Sequence, residues 1–312
     1  MARIDANLIG WIVLIAAAVF AAVAVTNPYL SSIVILIAIG ALLGASLRFV
    51  MLMGEVNFAL GAFVGIGAYT AGLLHTAAGL NFALAILVGA SVSMVVGTTF
   101  GAITLRAKGP YFMLIGFAFT EAVRVAYSKF AVLGGTSGMV GIFPPRALDL
   151  WMPLIVVLTV IVFLVVLAIA ERSDFGRILF AIGENEPVAR SVGLNTFRSK
   201  VAALAVTSAT AGIAGGLHAF TNNVISPGDF SFLLPAFALA YVKVGGENHF
   251  FGPILGAAFL IALSHYALGF GANESFLYGG AIVLSVLLMP GGMLGLASRA
   301  VAAVRKGPSS HD

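Results

Sequence analysis

The 312-residue sequence contains no cysteine, two tryptophans and few charges, with 16 Lys and Arg against 12 Asp and Glu. The absence of cysteine excludes a disulfide framework, a thiolate metal site and a cysteine nucleophile. Charged residues make up 9% of the chain, against about a quarter in soluble domains. Hydrophobic residues make up 61%, and the mean hydropathy is +1.09. An ordinary soluble domain is thereby excluded. A net charge of +4 with no basic stripe excludes a nucleic-acid partner. The phosphate-cradling pattern GxxxxGKS/T and the dinucleotide fingerprint are both missing. The five histidines (75, 218, 249, 265 and 311) are scattered without metal-ligand spacing, so the sequence offers no metal site, no cofactor and no catalytic set. His218, inside an apolar run, is the least ordinary of them.

What the chain has instead is long apolar runs. A membrane span needs about 20 mostly apolar residues. Ten runs qualify or nearly so: 8–25, 30–52, 58–74, 81–105, 111–130, 151–170, 201–222, 232–244, 250–270 and 276–296. The expected fold is an all-α polytopic membrane protein of about ten transmembrane helices, with eight as the lower count. The third and eighth runs are short and rich in Gly or Ala, which predicts broken or partly inserted helices. The first run is longer than a signal-peptide core and lacks a cleavage motif, so it reads as a retained span. The whole of 1–312 forms one membrane unit.

Basic residues orient these spans. With both termini in the cytoplasm, thirteen of the sixteen fall on the inner side, only Lys129 and Arg146 fall outside, and Arg124 lies within a span. That bias follows the positive-inside rule. The segment 171–200 then faces inward: ERSDFGRILFAIGENEPVARSVGLNTFRSK. Nine of its thirty residues are charged (Glu171, Arg172, Asp174, Arg177, Glu184, Glu186, Arg190, Arg198 and Lys200) in a chain otherwise poor in charge. Gly183 and Gly193 bracket 184–192, enough for about two helical turns, with Pro187 in the first turn, where a missing N–H costs little. Such an element has nothing to do in lipid and suits docking on a soluble partner; a solvated loop face is the plainer alternative.

Three other places break the apolar pattern. Glu121 and Arg124 share one helical face within a span. They read either as lining of a pathway or as a structural ion pair near the outer interface, the second being the better supported. The stretch Gly54-Glu55-Val56-Asn57-Phe58 precedes a run holding Gly61, Gly65, Gly67 and Gly72, a pattern that suits close helix packing or a discontinuous helix beside a cavity that also takes in Tyr69. Gly245-Gly246-Glu247-Asn248-His249 is a second polar break, followed by Gly252 and Pro253 at a helix entry. Outward lie the Gly/Pro-rich loop 131–150, with Thr136, and the turn 226–232, which starts at Ser226.

Taken together, six blocks resemble the permease subunits of ABC importers for branched-chain amino acids, the high-affinity Leu/Ile/Val type. They are GEVNFALGAFVGIGAYTAGLL at 54–74, YFMLIGFAFTEAVRVAYSKFAVLGGTSGMVGI at 111–142 and FGRILFAIGENEPVARSVGLNTFRSKVAAL at 175–204. The others are AGIAGGLHAFTNNVISPGDFSF at 211–232, GGENHFFGPILGA at 245–257 and MPGGMLGL at 289–296. The GGTSGMVGI stretch is similar to the larger of the two permease kinds in such systems, whereas GEVNFA is similar to the smaller. The resemblance implies a non-enzymatic transport subunit in the bacterial cytoplasmic membrane, surrounded by lipid. It implies three protein partners: cytoplasmic ABC ATPase subunits, a second permease that is a sibling or another copy, and a periplasmic or extracellular substrate-binding protein. The segment 171–200 would be the cytoplasmic coupling loop, with Arg177, Glu184, Glu186, Arg190 and Gly193 as ATPase contacts. Asn57, Phe58, Gly61, Tyr69, Glu121, Thr136 and Ser226 would serve the substrate route. Gly65, Gly245, Gly246, Gly252 and Pro253 would serve helix breaks and packing. The substrate would be a branched-chain or other small amino acid, or a related small carboxylate or amide. An ion-coupled secondary transporter is the competing reading; it calls for mid-span acids, and Glu121 is the one convincing case.

Overall fold

The computed structural model describes residues 15–20, 22, 27–107, 109–268, 279–280, 283 and 292–295. The runs 8–25 and 276–296, Lys108 and the terminal basic residues lie wholly or largely outside them. The other eight runs all form helices. They are α1 (Pro28–Met51), α2 (Leu60–Ala78), α3 (Phe82–Thr104), α4 (Pro110–Lys129), α5 (Met152–Arg172), α8 (Thr196–Asn222), α9 (Leu233–Gly245) and α10 (Gly252–Leu268). Two further helices, α6 (Asp174–Glu184) and α7 (Glu186–Ser191), lie between α5 and α8. The protein is an all-α polytopic membrane protein. Among the described residues, five helical stretches are long and apolar enough to cross a bilayer. The 13 residues of α9 extend only about 20 Å at 1.5 Å per residue, short of a hydrocarbon core of about 30 Å.

Local chemistry sets the helix ends. Asn27, Asn81 and Asn195 cap α1, α3 and α8, each side-chain oxygen accepting a backbone N–H two or three residues on, at 3.0 to 3.2 Å. Proline enters the first turns of α1, α4 and α5, where the lost N–H has no helical partner. With lipid-like apolarity on all sides, the helices are held together by close backbone approach and buried hydroxyls. A methyl group at Gly67 of α2 would lie 2.4 Å from the Gly212 backbone of α8, and one at Gly215 would lie 1.9 Å from the Val64 carbonyl oxygen. Ser93 of α3 donates to the Phe63 carbonyl at 2.8 Å, and Ser46 of α1 to that of Thr207 at 3.1 Å.

Three expectations change. First, run 58–74 is not broken: α2 is a continuous 19-residue helix, because its glycines serve contact with α4 and α8 rather than interruption. The eighth run is short, as its length predicts. Second, 171–200 contains two helices instead of one short one. Gly183 stays within α6, and Asn185 makes the break by adopting extended φ/ψ angles of −158° and 96°. Gly193 does end α7; its φ of +86° suits a residue without Cβ. Third, the loop 131–150 contains a strand. Met139–Val140 pairs antiparallel with Val224–Ile225, Met139 facing Ile225. Gly138 allows this, since a methyl there would meet the Ile225 oxygen at 2.1 Å.

The polar features sort to two ends of the bundle. At one end lie α6, α7 and the breaks after α1 and α9. At the other lie the two strands, and there His75 in the last turn of α2 meets the Phe143 carbonyl at 3.0 Å.

Candidate functional site

At the α6–α7 end, ionic groups are joined across sequence. Glu55, in the break between α1 and α2, and Lys200, in the second turn of α8, are each 4% exposed. Lys200 Nζ lies 3.3 Å from Glu55 Oε1 and 3.2 Å from Glu186 Oε2. Glu186, the first residue of α7, is bound on its other oxygen by Arg190 Nη2 at 2.6 Å and by the Thr196 hydroxyl at 3.3 Å. Arg190 Nε also donates to Thr196 Oγ1 at 2.9 Å. The second oxygen of Glu55 accepts the Gly109 N–H at 2.9 Å, immediately before α4. Two carboxylates and two cations balance, as burial in low dielectric demands. Beside this network Gly183 packs on the same break, where a methyl would come 2.3 Å from the Leu52 oxygen.

A second ionic clamp stands alongside. Arg48 at the end of α1 reaches Glu171 of α5 in a bidentate pair at 2.6 and 3.0 Å, and its Nε donates to the Glu247 carbonyl at 2.7 Å. A cleft of about 280 Å³ opens between α6 and the 245–249 break, lined by Leu52, Gly54, Phe180, Glu184 and Asn248 among others.

The sequence-predicted coupling residues therefore divide. Glu186 and Arg190 belong to the ionic network. Glu184 borders the cleft and is exposed. Arg177 is exposed and pairs with Asp174 at 3.0 Å. Gly193 ends α7 with open space around it. The largest apolar surface on this segment belongs to residues the sequence reading did not select: Phe180 (58% exposed), Val188 (57%) and Val192 (71%).

Deeper in the bundle, Phe58 and Gly61 meet α4 at Thr120, the residue before Glu121. Thr120 Oγ1 donates to the Phe58 carbonyl at 2.7 Å, and a methyl at Gly61 would lie 2.9 Å from Thr120. Glu121 pairs with Arg124 at 2.6 Å while its other oxygen accepts the Phe232 N–H at 3.1 Å, which caps the start of α9. Asn57 is 1% exposed; its oxygen accepts the Ala59 N–H at 3.0 Å, and its amide nitrogen has no partner. One level outward, Tyr69 stacks on Tyr127 at 4.2 Å and meets Phe230 edge-on at 5.8 Å. Gly65 makes room for this, since a methyl there would be 2.9 Å from the Tyr127 ring. Both phenol hydroxyls are buried without a partner. His218 of α8 lies edge-on to Phe230 at 6.0 Å.

Thr136 and Ser226 stand apart from that cluster, flanking the two strands. Thr136 is exposed; Ser226 is held by Asp229 through its N–H at 2.8 Å and its hydroxyl at 2.9 Å. At the α6–α7 end of the bundle Gly245 and Gly252 pack α9 against α10, a methyl at Gly245 falling 1.7 Å from the Gly252 oxygen. Gly246 turns the chain with φ of +114°. Pro253 sits in the first turn of α10, close against Gly44 of α1.

Sequence reasoning named Glu55 and Lys200 only in passing. The available signal was their position: each charge abuts an apolar run, where an unpaired ion is costly.

The comparisons with known proteins agree with one another. The family of branched-chain amino acid transport system permease components matches residues 29–294. The chain is 30% identical over 284 residues to a high-affinity branched-chain amino acid transport system permease protein, LivM, of Salmonella typhimurium, covering 81% of this chain and 67% of the relative. It is 24% identical over 252 residues to a probable branched-chain amino acid transport permease protein, LivH, of Methanocaldococcus jannaschii, covering 75% and 79%. It is also 24% identical over 290 residues to an autoinducer 2 import system permease protein, LsrC, of Escherichia coli, covering 84% and 77%. No solved structure matches the chain.

Proposed function

This chain belongs to the permease component family of branched-chain amino acid transport systems, and on that premise we propose that it forms one permease of an ABC importer that carries branched-chain or similarly small amino acids inward. It is a transport component, and ATP hydrolysis belongs to a separate ATPase. The relatives with 29–30% identity are named for branched-chain amino acids. The more distant autoinducer 2 permeases make the substrate the part of this reading most in need of test.

The observation that carries the docking assignment is the exposed apolar surface of α6 and α7. Phe180, Val188 and Val192 are 57–71% exposed on a segment rich in charge, near Arg177 and Glu184. A patch of that kind marks a protein contact. Orientation follows from charge: Arg48, Arg172, Arg177, Arg190, Arg198, Lys200 and Lys243 gather at the α6–α7 end, which the positive-inside rule assigns to the cytoplasm. With the spans expected from sequence at 8–25 and 276–296, both chain ends would lie inside as well. The opposite end, with Thr136, the paired strands and the Ser226 turn, would receive a substrate-binding protein outside the bacterial inner membrane. Glu121 at the start of the short helix α9, together with Asn57, Phe58, Gly61 and Tyr69, would border the route between them. Short helices whose ends stop within the bilayer are suited to such a place.

The test is reconstitution in vesicles with the cognate ATPase, sibling permease and binding protein. ATP inside and leucine outside should give leucine uptake, with isoleucine and valine competing. The variant Val188→Asp/Val192→Asp should release the ATPase from the purified complex. Uptake driven by an ion gradient in the absence of ATPase would overturn the reading in favour of a secondary transporter.

A further inference from the structure

Six charged or polar groups converge where α7 meets the bundle, and their connectivity says more than docking. Glu186 opens α7. Lys200 belongs to α8, Glu55 to the break before α2, and Gly109 to the residue before α4. The contacts run in series: Glu186 to Lys200 at 3.2 Å, Lys200 to Glu55 at 3.3 Å, and Glu55 to the Gly109 N–H at 2.9 Å. The links are of the kind that resists slipping. Glu55 and Lys200 are 4% exposed, and the Glu186 side chain 12%. Separating such a pair leaves bare ions in apolar surroundings, so either partner moves with the other or pays a large desolvation penalty. The exposed pair Asp174–Arg177 has water at hand and transmits nothing comparable.

We propose that Lys200 is a positioning residue of the transport cycle: its ammonium, gripped by Glu186 and Glu55, transmits displacement of α7 to the inner ends of α2 and α4. This rests on the reading that the ATPase docks on α6–α7. The two driven helices are the ones that carry Tyr69 on α2 and Glu121 and Tyr127 on α4, so a shift at their inner ends changes the spacing of the groups that border the route. Arg190 and Thr196 hold the remaining oxygen of Glu186 and keep its carboxylate turned toward Lys200. Gly183, seated on Leu52 and Gly54, gives the same break a second, steric contact with α6.

The experiment measures leucine moved per ATP hydrolysed by the complete complex in vesicles. Lys200→Met should keep the ATPase bound and hydrolysing while the ratio falls about tenfold, a typical coupling energy between sites. Lys200→Arg, which preserves the cation, should retain most of the ratio. Because Lys200→Met leaves the buried Glu55 carboxylate without its cation and can fail to fold, the charge-balanced variant Glu55→Gln/Lys200→Met decides. It removes both ions together and should insert normally yet remain uncoupled. A wild-type ratio in that variant overturns the proposal. So does its absence from the membrane while Lys200→Arg inserts, because the clamp is then purely structural. Failure of the docking reading shows elsewhere, as retention of the ATPase by Val188→Asp/Val192→Asp. Failure of the substrate reading shows as no leucine uptake by the wild type.

Discussion

Arg48 and Glu171 stand 123 residues apart in sequence and form a two-pronged pair at 2.6 and 3.0 Å at the ends of α1 and α5 that lie beside α6. The same guanidinium holds the Glu247 carbonyl at 2.7 Å, so one side chain fastens two spans and the 245–249 break. Its planar fork suits this use, and a lysine would satisfy one direction only.

That geometry predicts an asymmetry. Arg48→Met leaves Glu171 partly buried without its partner and should destabilise the protein by about 3 kcal/mol. Arg48→Lys should fall between. Glu171→Gln should cost at least as much as Arg48→Met, since it leaves the guanidinium, whose side chain is 5% exposed against 22% for Glu171, without its counter-charge. Thermal unfolding in detergent, followed by tryptophan fluorescence, ranks the three; equal stability of Arg48→Met and wild type would contradict the clamp.

The close glycine contacts predict a second ranking. Gly215→Ala would push a methyl to 1.9 Å from the Val64 oxygen between α8 and α2. Backbone cannot yield as a flexible side chain would, so overpacking of about 1–3 kcal/mol or more is expected. Gly193→Ala meets no atom within 4 Å but adopts φ of +86°, a strain of about 1–2 kcal/mol. The first should lower the unfolding temperature more than the second, and only the first should reduce the amount of protein recovered from membranes.

How much of this could be read from sequence depends on the range of the interaction. The eight helices within the described residues were visible because apolar composition over about 20 residues is a local property. The pairing of Glu55 with Lys200 spans 145 residues and exists only once α8 has packed beside the break before α2. Gly183 misled for a related reason. In sequence it resembles a helix stop, whereas in the fold it is a small residue that lets α6 touch Leu52. The glycines of α2 left packing and interruption both open, because a break and a tight contact call for the same residue type. Two-residue strands such as Met139–Val140 are too short to leave a period.

Glu121 and Arg124 offer a test of two roles. Glu121→Gln keeps an oxygen for the Phe232 N–H but leaves Arg124 without its carboxylate partner within the span, so stability should fall by about 1–3 kcal/mol. Glu121→Gln/Arg124→Gln removes both charges and should recover part of that loss, giving a favourable coupling term in a double-mutant cycle. If the pair borders the route, leucine uptake stays low in the double variant although its stability has recovered. Recovery of uptake together with stability would assign the pair to structure alone.

Tyr69 and Tyr127 supply the sharpest separation of stability from function. Their hydroxyls are buried and unpartnered, and a buried polar group without a hydrogen bond costs roughly 1–3 kcal/mol. Nothing in the packing of the stacked rings, 4.2 Å apart, requires those oxygens. Tyr69→Phe and Tyr127→Phe should therefore unfold at the same temperature as the wild type or slightly higher. An amino acid passing between α2 and α4 would bring carboxylate acceptors to which two idle phenol donors can bind. Each variant should then raise the KM for leucine uptake by about ten- to a hundredfold while the complex assembles and hydrolyses ATP as before, one hydrogen bond to a charged group being worth about 1.5–3 kcal/mol. An unchanged KM in both variants would remove the tyrosine hydroxyls from the route and leave the stack as apolar packing.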